Sequence, residues 1–249
     1  CAPAAREEQE MKQKLKLALV GAGERGQYCY APYAKMHGYE IEFVAVADPH
    51  KGRREKFVQD YHVPAEGVFE TAEQFFARPR MADAVLICTQ DSQHYAYACQ
   101  AIDLGYSILL EKPISPSVRE CLDLQRRAEE KGTQIMVCHV MRYTKFYRKL
   151  KELIDSGVIG DVVHVTHTEN VAYWHYAHSY VRGNWHKTAD SSPMILAKCC
   201  HDMDILSWLL GSRCRTVSSF GDLRYFREEN APAGSPARCT DGCPHSGSC

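Results

Sequence analysis

The sequence predicts an α/β protein: an N-terminal doubly wound parallel sheet, then a C-terminal α+β domain with a mostly antiparallel sheet, the latter truncated. Three observations lead there. From residue 15 short β-branched runs alternate with amphipathic stretches, the glycine-rich turn GAGERG directly follows the first run, and beyond residue 160 the pattern changes to period-two alternation. Near-continuous apolar strands separated by helices belong to parallel sheets covered on both faces.

The elements follow in order. LKLALV (15–20) precedes a helical stretch at 24–37, EFVAVA (42–47) one at 51–60, and AVLICT (84–89) one at 92–104. SILLEK (107–112) leads to 117–131 and QIMVCH (134–139) to 144–156. After residue 160 come DVVHVTHTENV, the aromatic loop AYWHYAHSYVRGNW, a helix opening at ILAKCCHDMDIL, and TVSSFGDLRYF. Alternation at period two is the mark of strands with one packed and one open face. Two strands make a marginal sheet, so the second domain is expected to be incomplete. Residues 1–14 are expected to be a disordered extension, 15–140 the first domain and 141–249 the partial second domain.

Composition narrows the partners. Of 249 residues, 45% are hydrophobic and 24% charged, with a formal net charge of -1. Such a balance makes no electrostatic case for nucleic acid or anionic membrane and favours small, neutral partners. No apolar run approaches the roughly 18 residues that span a bilayer. Most of the 12 cysteines sit in periodic apolar segments, which reads as reduced thiols in a cytoplasmic protein. The tail RCTDGCPHSGSC gathers Cys239, Cys243 and Cys249 in a Gly/Pro-rich loop. Its spacing matches no familiar zinc pattern, so no metal is expected and a cluster there is the minor alternative.

GAGERG carries the first chemistry. Gly21 makes the tight turn, Gly23 admits a diphosphate close to the backbone, and Gly26 lets the helix pack on the strand. The free N–H groups at the helix start attract the diphosphate. Asp48 ends the next strand, 22 residues after Gly26, where a carboxylate accepts from ribose hydroxyls. The combination predicts a dinucleotide site of the Rossmann type, with an acid that favours NAD over NADP. Arg53 and Arg54 nearby leave NADP possible. Glu111-Lys112-Pro113 lies just past another strand of the same sheet, where strand ends border the cofactor crevice.

In the helix around residues 195–210, Leu196, Cys199, Met203, Leu206 and Leu210 form an apolar stripe expected to be buried. Ala197, Lys198, His201 and Asp204 share the other side, which faces either water or a cleft.

LALVGAGERG, VAVADPHKGRREKF, CTQDSQHYAYACQAIDLGYSILLEKP and HDMDILSWLLG, in this order, resemble the glucose-fructose oxidoreductase and inositol dehydrogenase family (Gfo/Idh/MocA). The resemblance implies an NAD-dependent oxidoreductase acting on a secondary alcohol of a sugar, cyclitol or related polyol. It places Lys112 and His201 against the nicotinamide and the reacting carbinol, with His201 as general acid/base, Lys112 as the cation on the same oxygen, and Asp204 orienting the imidazole. Around the cofactor it implies Glu24 and Arg25 of the turn, Thr89, Gln93 and His94 after the strand 84–89, and Glu111 with Lys112. Arg142, Tyr173, Trp185 and Lys198 are the expected substrate contacts, and homo-oligomers are common in the family. Many members carry an aspartate four residues before the histidine; Ala197 stands there, with Lys198 beside it. A redox-neutral glycosidase or lyase and a non-catalytic cofactor-binding regulator are the alternatives.

Overall fold

The computed structural model describes residues 13–238 and 240–247. Residues 1–12 of the expected extension, and Cys239 and Cys249 of the cysteine tail, lie outside them.

The first half contains strands β1 (Leu15–Val20), β2 (Ile41–Ala47), β3 (Val68–Phe69), β4 (Ala84–Ile87), β5 (Ser107–Leu110) and β6 (Ile135–Val137). All pair in parallel in the order β3-β2-β1-β4-β5-β6. That order belongs to the doubly wound dinucleotide-binding fold, whose crevice opens where the direction of winding reverses, between β1 and β4. The pairings Phe69–Ala47–Val20–Ile87–Leu110–Val137 align the carboxyl ends in one row. Gly21, Asp48, Cys88, Glu111 and Cys138 therefore leave the sheet side by side.

Connecting helices are α1 (Pro32–Met36), α2 (Lys51–Tyr61), α3 (Ala72–Phe76), α4 (His94–Asp103) and α5 (Val118–Lys131). Alternate strand residues feed two cores. Ala18, Val20, Val85 and Ile87 pack with Phe75, Ala98 and Ile102 on one face, while Leu17, Leu19, Val46 and Leu86 pack with Phe43 and Phe57 on the other. Each fully buried aliphatic side chain contributes about 1.5–3 kcal/mol. Caps define the helix limits. Ser117 Oγ accepts from Glu120 N at α5, and Gly132 ends it at φ 62°.

The expected helix over 24–37 divides into a wide π turn, Glu24–Tyr30, and α1. Pro32 lacks an N–H and interrupts a regular ladder. β3 and α3 escaped sequence reading because a two-residue strand and a five-residue helix are too short to show a period.

The second half holds α6 (Lys145–Asp155), α7 (Tyr173–Tyr176) and α8 (Met194–Leu210). Residues 160–172 and 213–224 carry no regular secondary structure, so neither expected strand forms among the described residues. Val163 is 96% and Phe220 97% exposed: without a paired sheet there is no packed face for their side chains. The expected stripe on α8 is corrected for the same reason. Met203 and Leu210 are exposed, whereas Ala197, Asp202, Ile205 and Leu209 are buried. The polar-flanked side of α8 turns toward the first half.

No helix among the described residues is long and apolar enough to cross a membrane. Cys29, Cys88, Cys99, Cys121, Cys138, Cys199, Cys200, Cys214 and Cys243 are free thiols. Among the described residues no group of three His, Cys, Asp or Glu side chains is placed to hold a metal ion.

Candidate active site

The glycine-rich turn is shaped by close approach. A Cβ on Gly21, at φ 94°, would lie 2.5 Å from Cys88 O, and one on Gly26 would lie 2.4 Å from Gly21 O. Gly23 differs. Its nearest neighbour to a Cβ is Arg53 Nη1 at 4.0 Å, so the space above it is open to a ligand. Asp48 is buried at the end of β2, accepting from Ala22 N and His50 N at 2.8 Å each. It thereby holds the turn against β2 while each oxygen retains a free lone pair. Arg54 braces the same loop through Asp48 O at 2.6 Å and Glu70 at 3.2 Å. Thr89 Oγ1 is buried without a partner beside the turn. An open cradle over Gly23, a ribose-type carboxylate and an orphaned hydroxyl all fit a dinucleotide.

Two expected cofactor contacts are corrected. His94 is 1% exposed, with Nδ1 2.7 Å from Pro113 O and Nε2 3.2 Å from Thr89 O. Both ring nitrogens face backbone, so the side chain ties the Thr89 loop to the Lys112-Pro113 loop. Glu111 is buried, accepting from Tyr30 O–H and from Lys112 N at 3.0 Å; it positions the Lys112 backbone. Gln93 is an exposed side chain whose Oε1 accepts from Gln90 N at 3.3 Å, capping the short 3-10 turn Asp91–Gln93 that precedes α4. Glu24 is exposed at the start of the π turn.

Lys112 reaches across the cleft and donates to Ala197 O at 3.0 Å. Ala197 lies one turn before His201 on α8, so the two expected catalytic side chains share one corner. Burial, followed by the fields of Lys112, His139 and Arg25, lowers the His201 pKa to about 4. Its imidazole is neutral at neutral pH. His201 Nδ1 is buried without a partner, which leaves the ring able to accept a proton.

Asp204 does not orient that ring. Its oxygens accept from Arg142 Nε at 2.7 Å and Nη2 at 2.6 Å, a bidentate pair that satisfies both groups. The expected substrate role of Arg142 is corrected by the same pair, and its guanidinium also lies 5.8 Å from the Trp208 ring. Trp185 is corrected as well: its indole N–H donates to Asp91 at 3.0 Å, alongside Ser192 O–H to the same oxygen. These contacts fasten the aromatic loop to the first half. Tyr173 is 73% exposed and is not gathered into this corner. Lys198 is, donating to His175 Nε2 at 2.9 Å.

His139 was missed. It follows β6, stands edge-on to His201 with ring centroids 5.9 Å apart, and lies 3.9 Å from Asp204. Burial lowers its pKa, as it does that of His175. The strand-end rule that selected Lys112 applies equally to His139.

The sheet order and the glycine cradle define a dinucleotide-binding α/β protein. The chain belongs to the oxidoreductase family with an NAD-binding Rossmann fold, whose model matches residues 15–139, and the GFO/IDH/MocA C-terminal domain matches residues 147–239. Inositol 2-dehydrogenase of Pseudomonas savastanoi pv. phaseolicola is 29% identical over 79% of this chain and 54% of its own length. The 2,7-anhydro-N-acetylneuraminate hydratase of Mediterraneibacter gnavus is 28% identical over 82% of this chain and 51% of its own. Apo scyllo-inositol dehydrogenase from Lactobacillus casei superposes with a TM-score of 0.66 at 19% identity, covering 81% of this chain and 56% of that one. The chain spans about half the length of the curated relatives it matches.

Proposed function

We propose that the protein transfers hydride between NAD and a secondary alcohol of a sugar, cyclitol or related polyol. The observation that carries this reading is the pairing of a neutral, half-buried His201 with the Lys112 cation at the carboxyl edge of the sheet. Gly21, Gly23, Gly26, Asp48 and Thr89 would hold the cofactor, with Arg25 near its diphosphate. When bound, NAD supplies the hydride acceptor.

His201, neutral at working pH, takes the hydroxyl proton. Lys112 donates to the same oxygen and stabilises its alkoxide character, as preorganised cations do for developing negative charge. His139 stands edge-on against the His201 ring. The relative from Pseudomonas, named an inositol 2-dehydrogenase, supports a polyol substrate.

A redox-neutral elimination is the second reading, supported by the Lys198–His175 pair, an additional proton carrier beside His201, and by the relative named a hydratase. Incubation with excess NAD and a panel of sugars, cyclitols and glycosides separates the two. NADH accumulation that disappears in His201→Ala establishes the dehydrogenase. Release of aglycone with no NADH establishes the elimination, and neither product from any panel member overturns both.

A further inference from the structure

The cleft around His201 carries more positive charge than the proposed hydride transfer uses. Lys198 lies near Lys112 and Arg25, and its ammonium is depressed first by burial and then by the fields of those two cations. Their expected tasks differ. Arg25 follows Gly23 in the turn that cradles a diphosphate, and Lys112 serves the reacting oxygen. Lys198 remains.

Among the described residues the lysines that pair with carboxylates are Lys35, Lys51, Lys56, Lys149 and Lys151, and neither Lys112 nor Lys198 does. Glu111 is occupied by Tyr30 and the Lys112 amide. Glu169 acts on Lys198 only through its field. Among the described residues the hydrogen-bond partner of the Lys198 ammonium is the His175 imidazole at 2.9 Å, which leaves two of its three N–H donors to solvent or a ligand. A half-buried cation without an opposing charge is costly, and an anion delivered by a ligand removes that cost.

We infer that the substrate is an acidic sugar or cyclitol derivative whose anionic group, carboxylate or phosphate, is bound by Lys198. The inference rests on the dehydrogenase reading for the orientation of the cleft. It reverses the preference for neutral partners drawn from a net charge of -1, because the chain's overall charge says nothing about its distribution.

The test is a calorimetric titration, with and without saturating NADH, of hexuronates and hexose phosphates, each beside its neutral parent sugar. At least one acid is expected to bind about tenfold tighter than its parent or more, equivalent to a decade in Kd. Lys198→Gln is expected to bring acid and parent to parity, while Lys198→Arg keeps most of the preference. The uronate and phosphate arms identify which anion is recognised. A panel in which no acid outperforms its parent, or a preference that survives Lys198→Gln, overturns the inference. NADH binding, followed separately by its fluorescence, reports on the dehydrogenase reading and serves as the folding control for both variants. Loss of one result therefore leaves the other interpretable.

Discussion

Lys112 Nζ donates to the carbonyl oxygen of Ala197 at 3.0 Å, joining the end of β5 to the first turn of α8 across the cleft. The bond sets the proposed catalytic corner, because it brings a cation from the first half within range of the histidine on the second. Replacing Lys112 by Met is expected to remove its field from His201 and raise that imidazole's pKa above about 4. Histidine titration by NMR reads the shift. The same variant is expected to lose on the order of 10²–10³ in turnover, as for other preorganised donors.

The glycines of the turn have separable roles. Gly21→Ala places a Cβ 2.5 Å from Cys88 O at φ 94°, so it is expected to destabilise the fold by about 1–3 kcal/mol through backbone strain. Gly23→Ala meets nothing closer than 4.0 Å. It is expected to leave the melting temperature unchanged and to weaken NADH binding. Melting curves beside a fluorescence titration distinguish these outcomes; equal losses of stability would sink the assignment.

The low pKa of His201 couples the site to pH. In the unfolded chain the imidazole titrates near 6.5, in the folded chain near 4. Between those values the unfolded state binds more protons, so this group's contribution to stability is complete above pH 6.5, falls as pH drops toward 4, and is level below. His139 and His175 act in the same direction. His201→Gln is expected to flatten part of the slope of melting temperature against pH. Alcohol oxidation by the intact protein is expected to decline only as pH approaches 4, where the base becomes protonated.

Arg142→Ala leaves Asp204, whose side chain is 11% exposed, without its bidentate partner. The expected cost is about 1–2 kcal/mol in urea unfolding, below the range for a fully buried pair because Arg142 is partly solvated. Asp204→Asn is expected to reduce turnover far less than His201→Ala. A comparable loss would mean that Asp204 acts on the imidazole directly.

His94→Ala removes the side chain between the Thr89 and Pro113 carbonyls. Leaving a carbonyl acceptor without the imidazole N–H is expected to cost about 1–3 kcal/mol and to weaken NADH binding by loosening both loops. The His201 titration is expected to stay where it is. Its movement would place His94 in the electrostatics of the site instead.

Sequence alone determined the parallel sheet, the glycine turn and the residues at its strand ends. A strand buried on both faces must be apolar throughout, a turn touching a diphosphate must lack Cβ, and both constraints are local enough to leave a written pattern. Lys112 and His201 were legible only through the family resemblance of the segments that carry them, since position alone left both readings open. Tertiary structure decided the rest. Periodicity shows that Met203 and Leu210 share an apolar side of α8, yet which side is covered depends on what packs there. It shows Asp204 three residues from His201, while the better partner, Arg142, is 62 residues away. Lys198 found His175 and Trp185 found Asp91 by the same rule. A carboxylate or an ammonium pairs with whichever opposite group the fold brings within hydrogen-bond reach, and that choice is made across the cleft.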